Sequence, residues 1–330
     1  MKKKSSLLYS IIITCFNGEK YLNKCLDALL AYRHPHSEII FIDDGSTDRT
    51  AAMAKKYKVE IKTSKYKVNR GASSARNYAA KKARGKYLIF LDVDCEVKKY
   101  SLSRLIQTLE RHQKIGMTQA VLLKPNGATE STGHFLSFFG LPYNIKITAK
   151  GKLLTVFGTR TALAVRAKLF HKIGGYDEDY IIYGEDTDLA WRTWLSGAQV
   201  VTVLNSFIYH HHYSSLSKKT RHRLYYEGCK NQLVNILKNE DGRYLIWMIP
   251  LYIFSWFIIA VKLIVQGKAN FILWIVRAFS WNIVNLPSTL KKRKIISSYK
   301  AANNKAADIQ FGSLTLNQAL ENGFQWLLSF

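Results

Sequence analysis

The sequence has few acidic residues and lacks two loops that commonly bind nucleotide phosphates. Its 330 residues include 23 Asp and Glu against 49 Lys and Arg, which gives a net charge of +26. No Gly-x-Gly-x-x-Gly follows the first apolar segment, and no Gly-x-x-x-x-Gly-Lys-Ser/Thr occurs anywhere. These absences argue against a dinucleotide-binding fold and against a P-loop NTPase. Any substrate phosphate would then be bound by a metal ion and by basic side chains.

Cysteine is also scarce. The four cysteines show no metal-ligand spacing and lie in apolar or helical stretches: Cys15, Cys25, Cys95 and Cys229. They are interpreted as reduced thiols in a cytosolic setting. The absence of any Asn-x-Ser/Thr glycosylation signal agrees with that compartment.

The N-terminus imitates a signal peptide, because the basic residues of Met1–Lys4 precede the apolar run Leu7–Phe16. No small-residue cleavage site follows this run, and a helical pattern begins soon after Asn17. A buried first strand explains the run better.

Strands and helices alternate along the first hundred residues. Continuous apolar runs predict strands at Ser10–Thr14, Glu38–Ile42, Val59–Thr63 and Tyr87–Leu91. Amphipathic or alanine-rich segments between them predict helices, including one over Gly71–Ala83. This pattern predicts an α/β fold with a doubly wound, mostly parallel sheet that helices cover on both faces. In such sheets ligands bind beyond the carboxyl ends of the strands.

Polar residues follow directly after these strands and should therefore line one crevice: Thr14, Asn17, Asp43, Asp44, Asp92 and Asp94. Clustered carboxylates repel one another and need a cation. Oxygen ligands suit Mg²⁺ or Mn²⁺, which would complete its coordination with substrate phosphates. An isolated Asp-x-Asp usually marks a turn, but the position of Asp92 and Asp94 after a buried strand favours a metal site.

Four segments in this order resemble the motifs of family 2 glycosyltransferases with the GT-A fold: Ile11–Leu22, Ile40–Asp48, Asn69–Asn77 and Leu91–Asp94. The resemblance covers about residues 1–215, the predicted catalytic domain. It implies a nucleotide-sugar donor, bound through Thr14, Asn17, Glu19, Asp43, Asp44, Arg76 and Asp92. Within that set, Asp43 and Asp44 would contact the base and ribose. Thr14 stands where many members carry proline.

A second acidic segment, Tyr183–Arg192, follows Gly174–Glu178 and leads into a helix that Gly197 ends. Glu185 and Asp186 therefore lie at a helix N-terminus, where the macrodipole favours ionised carboxylates. Plain helix capping is the alternative. The resemblance implies that Asp186, with Glu185 beside it, is the catalytic base that deprotonates the acceptor hydroxyl. A single displacement of this kind inverts the anomeric configuration.

The resemblance makes Asp94 the direct metal ligand and Asp92 its partner through the ribose or an ordered water. Among His210–His212, His211 is a possible third ligand, and a hydrogen-bonding role is equally open. The stretch Asn126–Lys150 is a candidate acceptor loop, whose aromatic residues could stack on sugars or fill a local core: Phe135, Phe138, Phe139 and Tyr143.

The character of the chain changes after residue 215. Residues 216–242 are predicted to form a basic helical linker, residues 243–290 membrane-associated apolar helices, and residues 291–330 a basic tail with an amphipathic end, Phe324–Phe330. The run Tyr244–Val265 has the length of a membrane helix, although Pro250 and Lys262 weaken that prediction. The second apolar run, Phe271–Leu286, suits an interfacial helix or a partner span. Flanking basic residues place both runs at the cytoplasmic face of the membrane, either as a hairpin that enters and returns or as helices along the surface. A soluble helical subdomain is the alternative to membrane attachment.

The predicted activity is metal-dependent transfer of a hexosyl or deoxyhexosyl group to a glycan or lipid-linked acceptor for cell-surface polysaccharide or glycoconjugate synthesis. Two alternatives are a nucleotidyltransferase acting on sugar phosphates and a non-catalytic protein that binds membranes or polyanions. No nucleic-acid-binding module occurs, so nucleic acid is not an expected partner. The sequence leaves the sugar, the nucleotide, the acceptor and the depth of membrane insertion open.

Overall fold

The computed structural model describes residues 8–57, 68–137, 140–146, 152–211, 222–302 and 305. The strands are β1 (Tyr9–Cys15), β2 (Ser37–Asp43), β3 (Tyr87–Asp92), β4 (Cys95–Val97), β5 (Ile115–Leu123), β6 (Thr129–Ser131), β7 (His134–Leu136), β8 (Pro142–Asn144), β9 (Leu153–Thr155), β10 (Leu163–Arg166) and β11 (Gln199–His210). The helices are α1 (Glu19–Tyr32), α2 (Thr50–Ala54), α3 (Ala72–Lys82), α4 (Ser101–Arg111), α5 (Ala167–Lys172), α6 (Glu185–Leu195), α7 (His222–Asn239), α8 (Gly242–Val265), α9 (Ile272–Val284) and α10 (Leu286–Tyr299).

The central sheet has the strand order β2-β1-β3-β10-β5-β11-β4, with β6 paired to β5 and β9 paired to β11. Strands β2, β1 and β3 are parallel, and so are β5 and β11, whereas β10 runs antiparallel between β3 and β5. The predicted α/β class is confirmed. The sheet is mixed because β10 and the short strands β4, β6 and β9 pair with it in the antiparallel sense.

Helices cover both faces of the sheet and bury two apolar clusters. One cluster joins Ile11, Ile39 and Ile89 to residues of α1 and α4, including Leu26 and Leu105. The other joins the opposite side of the same strands to residues of α3, α5 and α6. Every residue of β1 and β2 is buried, which explains why these strands read as continuous apolar runs instead of alternating ones.

The predicted strands Ser10–Thr14, Glu38–Ile42 and Tyr87–Leu91 are confirmed within β1, β2 and β3, and the predicted alanine-rich helix is confirmed as α3. The predicted strand Val59–Thr63 and the predicted amphipathic end Phe324–Phe330 lie outside the described residues.

The C-terminal helices form a third apolar cluster, contributed mainly by α7, α8 and α9. Helix α8 is the one helix of the described residues that is long and apolar enough to cross a membrane, and α9 is a shorter apolar helix. Helix α7 falls in the segment predicted to be a basic helical linker and packs against α6 and the loop before it. Its Lys230 and Lys238 are 3% and 2% exposed, because each forms an ion pair within the protein.

Candidate active site

A cleft of about 490 Å³ opens where the carboxyl ends of β1 and β3 meet the ends of β11 and α7. Its lining includes Thr14 after β1, Asp92 and Asp94 after β3, His210 at the end of β11, and Arg223 on α7. The parallel strands bring these residues together over large sequence separations.

Three side chains at one end of the cleft are arranged to hold a metal ion. One ligand atom from each of Asp92, Asp94 and His210 lies within 4.8 Å of the other two. Asp94 and His210 are buried, and two carboxylates with one imidazole are a donor set suited to Mn²⁺ and similar divalent ions. The residues present therefore fit the divalent cation that the sequence predicts.

A second carboxylate fixes the orientation of the His210 ring. The imidazole Nδ1 lies 2.9 Å from Glu130 Oε2, and Nε2 lies 3.3 Å from Asp94 Oδ2. Burial lowers the pKa of His210, but hydrogen bonds to Asp94 and Glu130 outweigh that effect and raise it to about 10. A carboxylate on the far nitrogen of a metal-binding histidine is a recurring arrangement that orients the ring.

His211 lies elsewhere. Its Nε2 is 3.1 Å from Glu96 Oε2, and Glu96 also pairs with Lys24 and Lys98 on the outer side of the sheet. His210 is the last residue of β11, and His211 follows it with its backbone N–H donating to the Asp94 carbonyl at 2.9 Å. Successive side chains of an extended chain point to opposite faces, which explains the difference. The structure thus brings His210, and not His211, to the two aspartates; His212 lies outside the described residues.

Arg76 joins three carboxylates beneath the cleft. Its Nη2 donates to Asp92 Oδ1 at 2.8 Å, while Nη1 lies 3.1 Å from Glu185 Oε1 and 3.5 Å from Asp186 Oδ1. The guanidinium is 4% exposed and lies over the ring of Tyr176, 5.1 Å from its centroid. The sequence predicts that Arg76 binds the donor, and this stays a prediction. In the structure Arg76 pairs with Asp92, Glu185 and Asp186.

Asp186 is held in a setting that suits a general base. Its Oδ1 accepts a hydrogen bond from the Tyr176 hydroxyl at 3.1 Å. Burial raises the pKa of Asp186 to about 7, Arg76 opposes that shift, and the negative charges of Glu185 and Asp92 reinforce it. The pKa of the neighbouring Glu185 is also raised, again chiefly by burial. A carboxylate with a pKa near neutrality can accept a proton and still be ionised at working pH.

Helix α7 positions the start of α6, where Glu185 and Asp186 lie. Asn231 Nδ2 donates to the carbonyl oxygens of Ile182 and Tyr183 at 2.8 and 2.7 Å, and Asn235 Nδ2 donates to that of Gly184 at 3.1 Å. Gly184 has a φ of +84°, a left-handed conformation that favours glycine. The acidic residues of α6 are therefore oriented by a helix that follows them in the chain.

Three other residues predicted to bind the nucleotide-sugar donor form hydrogen bonds within or between the loops after β1 and β2. Asn17 Oδ1 accepts from the Thr47 N–H at 2.7 Å, and Glu19 Oε2 accepts from the Arg49 N–H at 2.9 Å. Asp43 Oδ1 caps the turn at Ser46. These hydrogen bonds of Asn17, Glu19 and Asp43 stabilise the loops after β1 and β2.

Asp44 lines the cleft and also holds its wall. Its two carboxylate oxygens accept the backbone N–H groups of Arg70 and Gly71 at 3.0 and 2.9 Å. Burial raises its pKa to about 6, and those two backbone hydrogen bonds oppose the shift. Gly71 itself has a φ of +91°, and an added Cβ would lie 2.7 Å from the backbone of Ile181, so this wall of the cleft requires glycine.

The candidate acceptor loop contains a two-stranded sheet, β7–β8. Phe135 and Tyr143 face each other across it with ring centroids 6.4 Å apart, and both are half-buried. Phe138 and Phe139 lie outside the described residues.

Sequence reasoning missed several residues of the site. Glu130 lies on the three-residue strand β6, 80 positions from His210, and nothing in its local sequence indicates the contact. Asn231 and Asn235 bind the residues before Glu185 from about 50 positions away, whereas Tyr176 binds Asp186 from ten positions away. Tyr176 belongs to the Gly-Gly-Tyr segment already singled out, which was the available signal.

Comparison with known protein families finds two matches. The family described as "Glycosyl transferase family 2" matches residues 10–174, half of the chain. The family described as "N-terminal domain of galactosyltransferase" matches residues 146–216.

Among curated proteins, the O-antigen biosynthesis protein RfbC of Myxococcus xanthus is 30% identical over 62% of this chain and 17% of its own length. The poly(ribitol-phosphate) β-N-acetylglucosaminyltransferase TarS of Staphylococcus aureus is 31% identical over 36% of this chain and 21% of its own length. The chain therefore spans less than a quarter of the length of these two relatives.

Solved structures show the same fold at lower sequence identity. GalNAc-T7, crystallised with UDP, GalNAc and Mn²⁺, superposes with a TM-score of 0.61 at 20% identity, covering 74% of this chain and 50% of that chain. A fragment of S. aureus TarS in complex with UDP-GlcNAc superposes with a TM-score of 0.56 at 20% identity, covering 88% of this chain and 91% of that chain.

Proposed function

Since the chain belongs to glycosyltransferase family 2 and has the GT-A fold, we propose that it transfers a sugar from a nucleotide-sugar donor, with inversion and with the help of a divalent cation. The acceptor is a glycan or a lipid-linked saccharide at the cytoplasmic face of the membrane, and the product serves cell-surface polysaccharide synthesis. The observation that carries this proposal is a cleft lined by the Asp92, Asp94 and His210 triad and by Glu185. Asp186 follows Glu185, and Arg76 joins it to Asp92.

In this mechanism the ionised carboxylate of Asp186 accepts the proton of the acceptor hydroxyl as that oxygen attacks the anomeric carbon. Tyr176 and Arg76 hold Asp186 in place through its Oδ1. Asp92, Asp94 and His210 would hold the cation, with Glu130 orienting the ring of His210. The bound cation supplies charge neutralisation for the departing nucleoside diphosphate. The bond to the leaving oxygen breaks on the face opposite the attack, so the anomeric configuration inverts.

The proposal is tested by a donor screen read as released nucleoside diphosphate. We expect one class of sugar nucleotide to be turned over in the presence of Mn²⁺ or Mg²⁺, and turnover to stop when the ion is chelated and to return when it is restored. Product analysis by NMR should show the inverted anomer. Turnover that persists fully in chelator would contradict the metal dependence, and turnover of no donor would contradict the enzyme itself.

Glu130 offers a test of which histidine serves the metal. Glu130→Gln is expected to raise the Mn²⁺ concentration for half-maximal rate by about 10–100-fold, because the partner that orients a metal-bound histidine commonly contributes that much. The matched control is Glu96→Gln, which removes the equivalent partner of His211. Equal shifts in both variants, or a shift only in Glu96→Gln, would point to His211 instead. Metal titration of the initial rate makes the measurement.

The pH profile should report Asp186. Its pKa is raised to about 7 and the ionised form is the base, so kcat/KM is expected to rise with pH and to level off above about pH 7. The Tyr176 hydrogen bond lowers this pKa, so Tyr176→Phe should move the midpoint to higher pH. Tyr9→Phe removes the hydrogen bond between another buried tyrosine and the His34 backbone N–H. Tyr9 begins β1, at the end remote from the cleft, so this variant should leave the midpoint in place. A midpoint that stays the same in Tyr176→Phe would argue against Asp186 as the base.

A further inference from the structure

Helix α8 carries two opposite stripes of apolar residues. One stripe is buried against its neighbours: Met248, Tyr252, Trp256, Ile259 and Leu263. The other lies on the exposed side of the helix: Ile246, Ile253, Phe254, Phe257, Val261, Ile264 and Val265. Ile246 and Val265, at the two ends of this exposed stripe, are 81% and 82% exposed. The exposed stripe therefore runs along the whole helix.

Helix α9 also has one buried and one exposed set of apolar residues. Ile275 and Ala278 join the buried cluster, while Leu273, Val276, Ile283 and Val284 are exposed. Exposed apolar stripes on two neighbouring helices form a patch that a soluble monomer rarely shows.

The buried stripe of α8 packs on α7. The Tyr252 hydroxyl donates to the Cys229 carbonyl at 2.7 Å, and Met248 lies in the same cluster as Ile236. Only Glu240 and Asp241 separate the two helices, so they run antiparallel side by side. Beyond the far end of α8, Phe271 contacts Tyr225 with ring centroids 4.8 Å apart. Helix α7 thus accompanies α8 over most of its length.

Helix α7 cannot enter a bilayer, because it is bound to the catalytic fold at charged and polar groups. Lys238 Nζ pairs with Asp177 and Asp188 at 2.6 and 2.8 Å, and Lys230 Nζ donates to the Asp179 carbonyl at 2.9 Å. At the other end of α7, Arg223 lines the same cleft as Asp92 and Asp94. If the 24 residues of α8, about 36 Å long, crossed a bilayer core of about 30 Å, α7 and the cleft would be carried to the same depth.

The charge of this region selects the kind of surface. No Asp or Glu occurs from Gly242 to Ala302, whereas Lys and Arg recur throughout. Arg243 and Lys268 are exposed at the two ends of α8, and Arg277 is exposed on α9. Cations flanking an apolar stripe favour anionic lipid headgroups.

We infer that α8 lies along the surface of an anionic bilayer with its exposed stripe among the lipids, and that both of its ends stay on the same side of the membrane as the catalytic domain. The inference rests on the proposed membrane attachment and specifies how α8 is oriented on the bilayer. Because Arg223 lines the cleft and its neighbour His222 stacks on Trp274 of α9 at 4.1 Å, the cleft opens beside the lipid surface. A lipid-linked acceptor could then reach Asp186 without leaving the membrane.

Sidedness labelling tests the geometry. Arg243→Cys and Lys268→Cys place thiols at the two ends of α8, and the four native cysteines are buried. In inside-out membrane vesicles of the expression host, a membrane-impermeant maleimide is expected to label both positions, and in right-side-out vesicles neither. Labelling of the two positions from opposite sides would overturn the inference in favour of a span.

Vesicle binding tests the surface itself. Phe254→Glu with Phe257→Glu should weaken binding to vesicles of phosphatidylcholine and phosphatidylglycerol by at least about tenfold, because two large apolar side chains are lost from the contact. Leu30→Glu with Tyr32→Glu, exposed apolar residues on α1, should leave binding unchanged. Equal effects in the two double variants would contradict the docking face. Failure of the unmodified protein to bind vesicles would overturn the attachment and this inference together, while donor turnover in solution separately decides the proposed catalytic function.

Discussion

Asp186→Asn is expected to lower the rate of sugar transfer by about 10²–10⁴-fold, the range that removal of a general base commonly costs. The amide keeps the size of the carboxylate and can still accept the Tyr176 hydrogen bond, but it cannot take a proton from the acceptor hydroxyl. Nucleotide affinity should change little, since Asp186 belongs neither to the proposed metal triad nor to the residues predicted to bind the donor. The measurement is single-turnover transfer at saturating donor, with nucleotide binding followed in parallel.

Two companions make this experiment specific. Glu185→Gln removes the neighbouring carboxylate, which also pairs with Arg76, and Glu110→Gln removes an exposed carboxylate on α4. We expect Glu185→Gln to lose less activity than Asp186→Asn, and Glu110→Gln to match the unmodified protein. If Asp186→Asn transfers sugar at close to the original rate while Glu185→Gln does not, the base is Glu185.

Arg76→Met is expected to destabilise the fold by about 3–5 kcal/mol, because breaking a buried ion cluster from one side leaves uncompensated charge in a low-dielectric site. Arg76 is the shared partner of Asp92, Glu185 and Asp186. Methionine fills a similar length but donates no hydrogen bond. Transfer should fall as well, since the carboxylates on the two sides of the cleft lose the group that fixes their spacing.

Denaturant unfolding measures the loss, and Arg84→Met is the matched control. Arg84 also pairs with a buried carboxylate, Glu38, but its own side chain is 63% exposed. Glu38 keeps hydrogen bonds from Ser10 and from the Arg84 backbone N–H, so this variant should lose no more than about 1 kcal/mol. If the free energy of unfolding fell by similar amounts in the two variants, burial of the arginine would contribute little to stability. Arg76 would then not be the group that holds the three carboxylates together.

The first half of the fold could be predicted because its signals are local. Strands β1, β2 and β3 are buried on both sides, so each reads as an apolar run, and the polar residues that follow mark the carboxyl ends. The position of β10 could not be predicted. It inserts antiparallel between β3 and β5, and strand pairing of this kind depends on contacts between residues far apart in sequence.

The site divides in the same way. Asp92, Asp94 and Asp186 were found from local motifs, and their roles stay predictions. The choice between His210 and His211 depended on which face of β11 turns toward Asp94. Three consecutive histidines do not indicate which of them faces Asp94. A shift of one residue along a strand moves every side chain to the opposite face.

For the segment after residue 215, composition did not reveal which lysines are buried. Its composition predicts a basic helical linker, yet Lys230 and Lys238 are buried. Lys238 pairs with Asp177, while Lys230 pairs with Glu227 and donates to the Asp179 carbonyl. The sequence shows the charge of Lys238 but not its counterions, because Asp177 and Asp188 lie 61 and 50 residues away along the chain.

By itself, the sequence determined the α/β class, the family and the acidic residues of the crevice, because these follow from periodicity and from short motifs at strand ends. The tertiary structure alone decided which histidine meets the aspartates, that Arg76 joins the carboxylates, and that α8 is bound along α7 to the catalytic fold. Each of these depends on distances between groups far apart in the chain, and such distances are set by the packing of the whole domain.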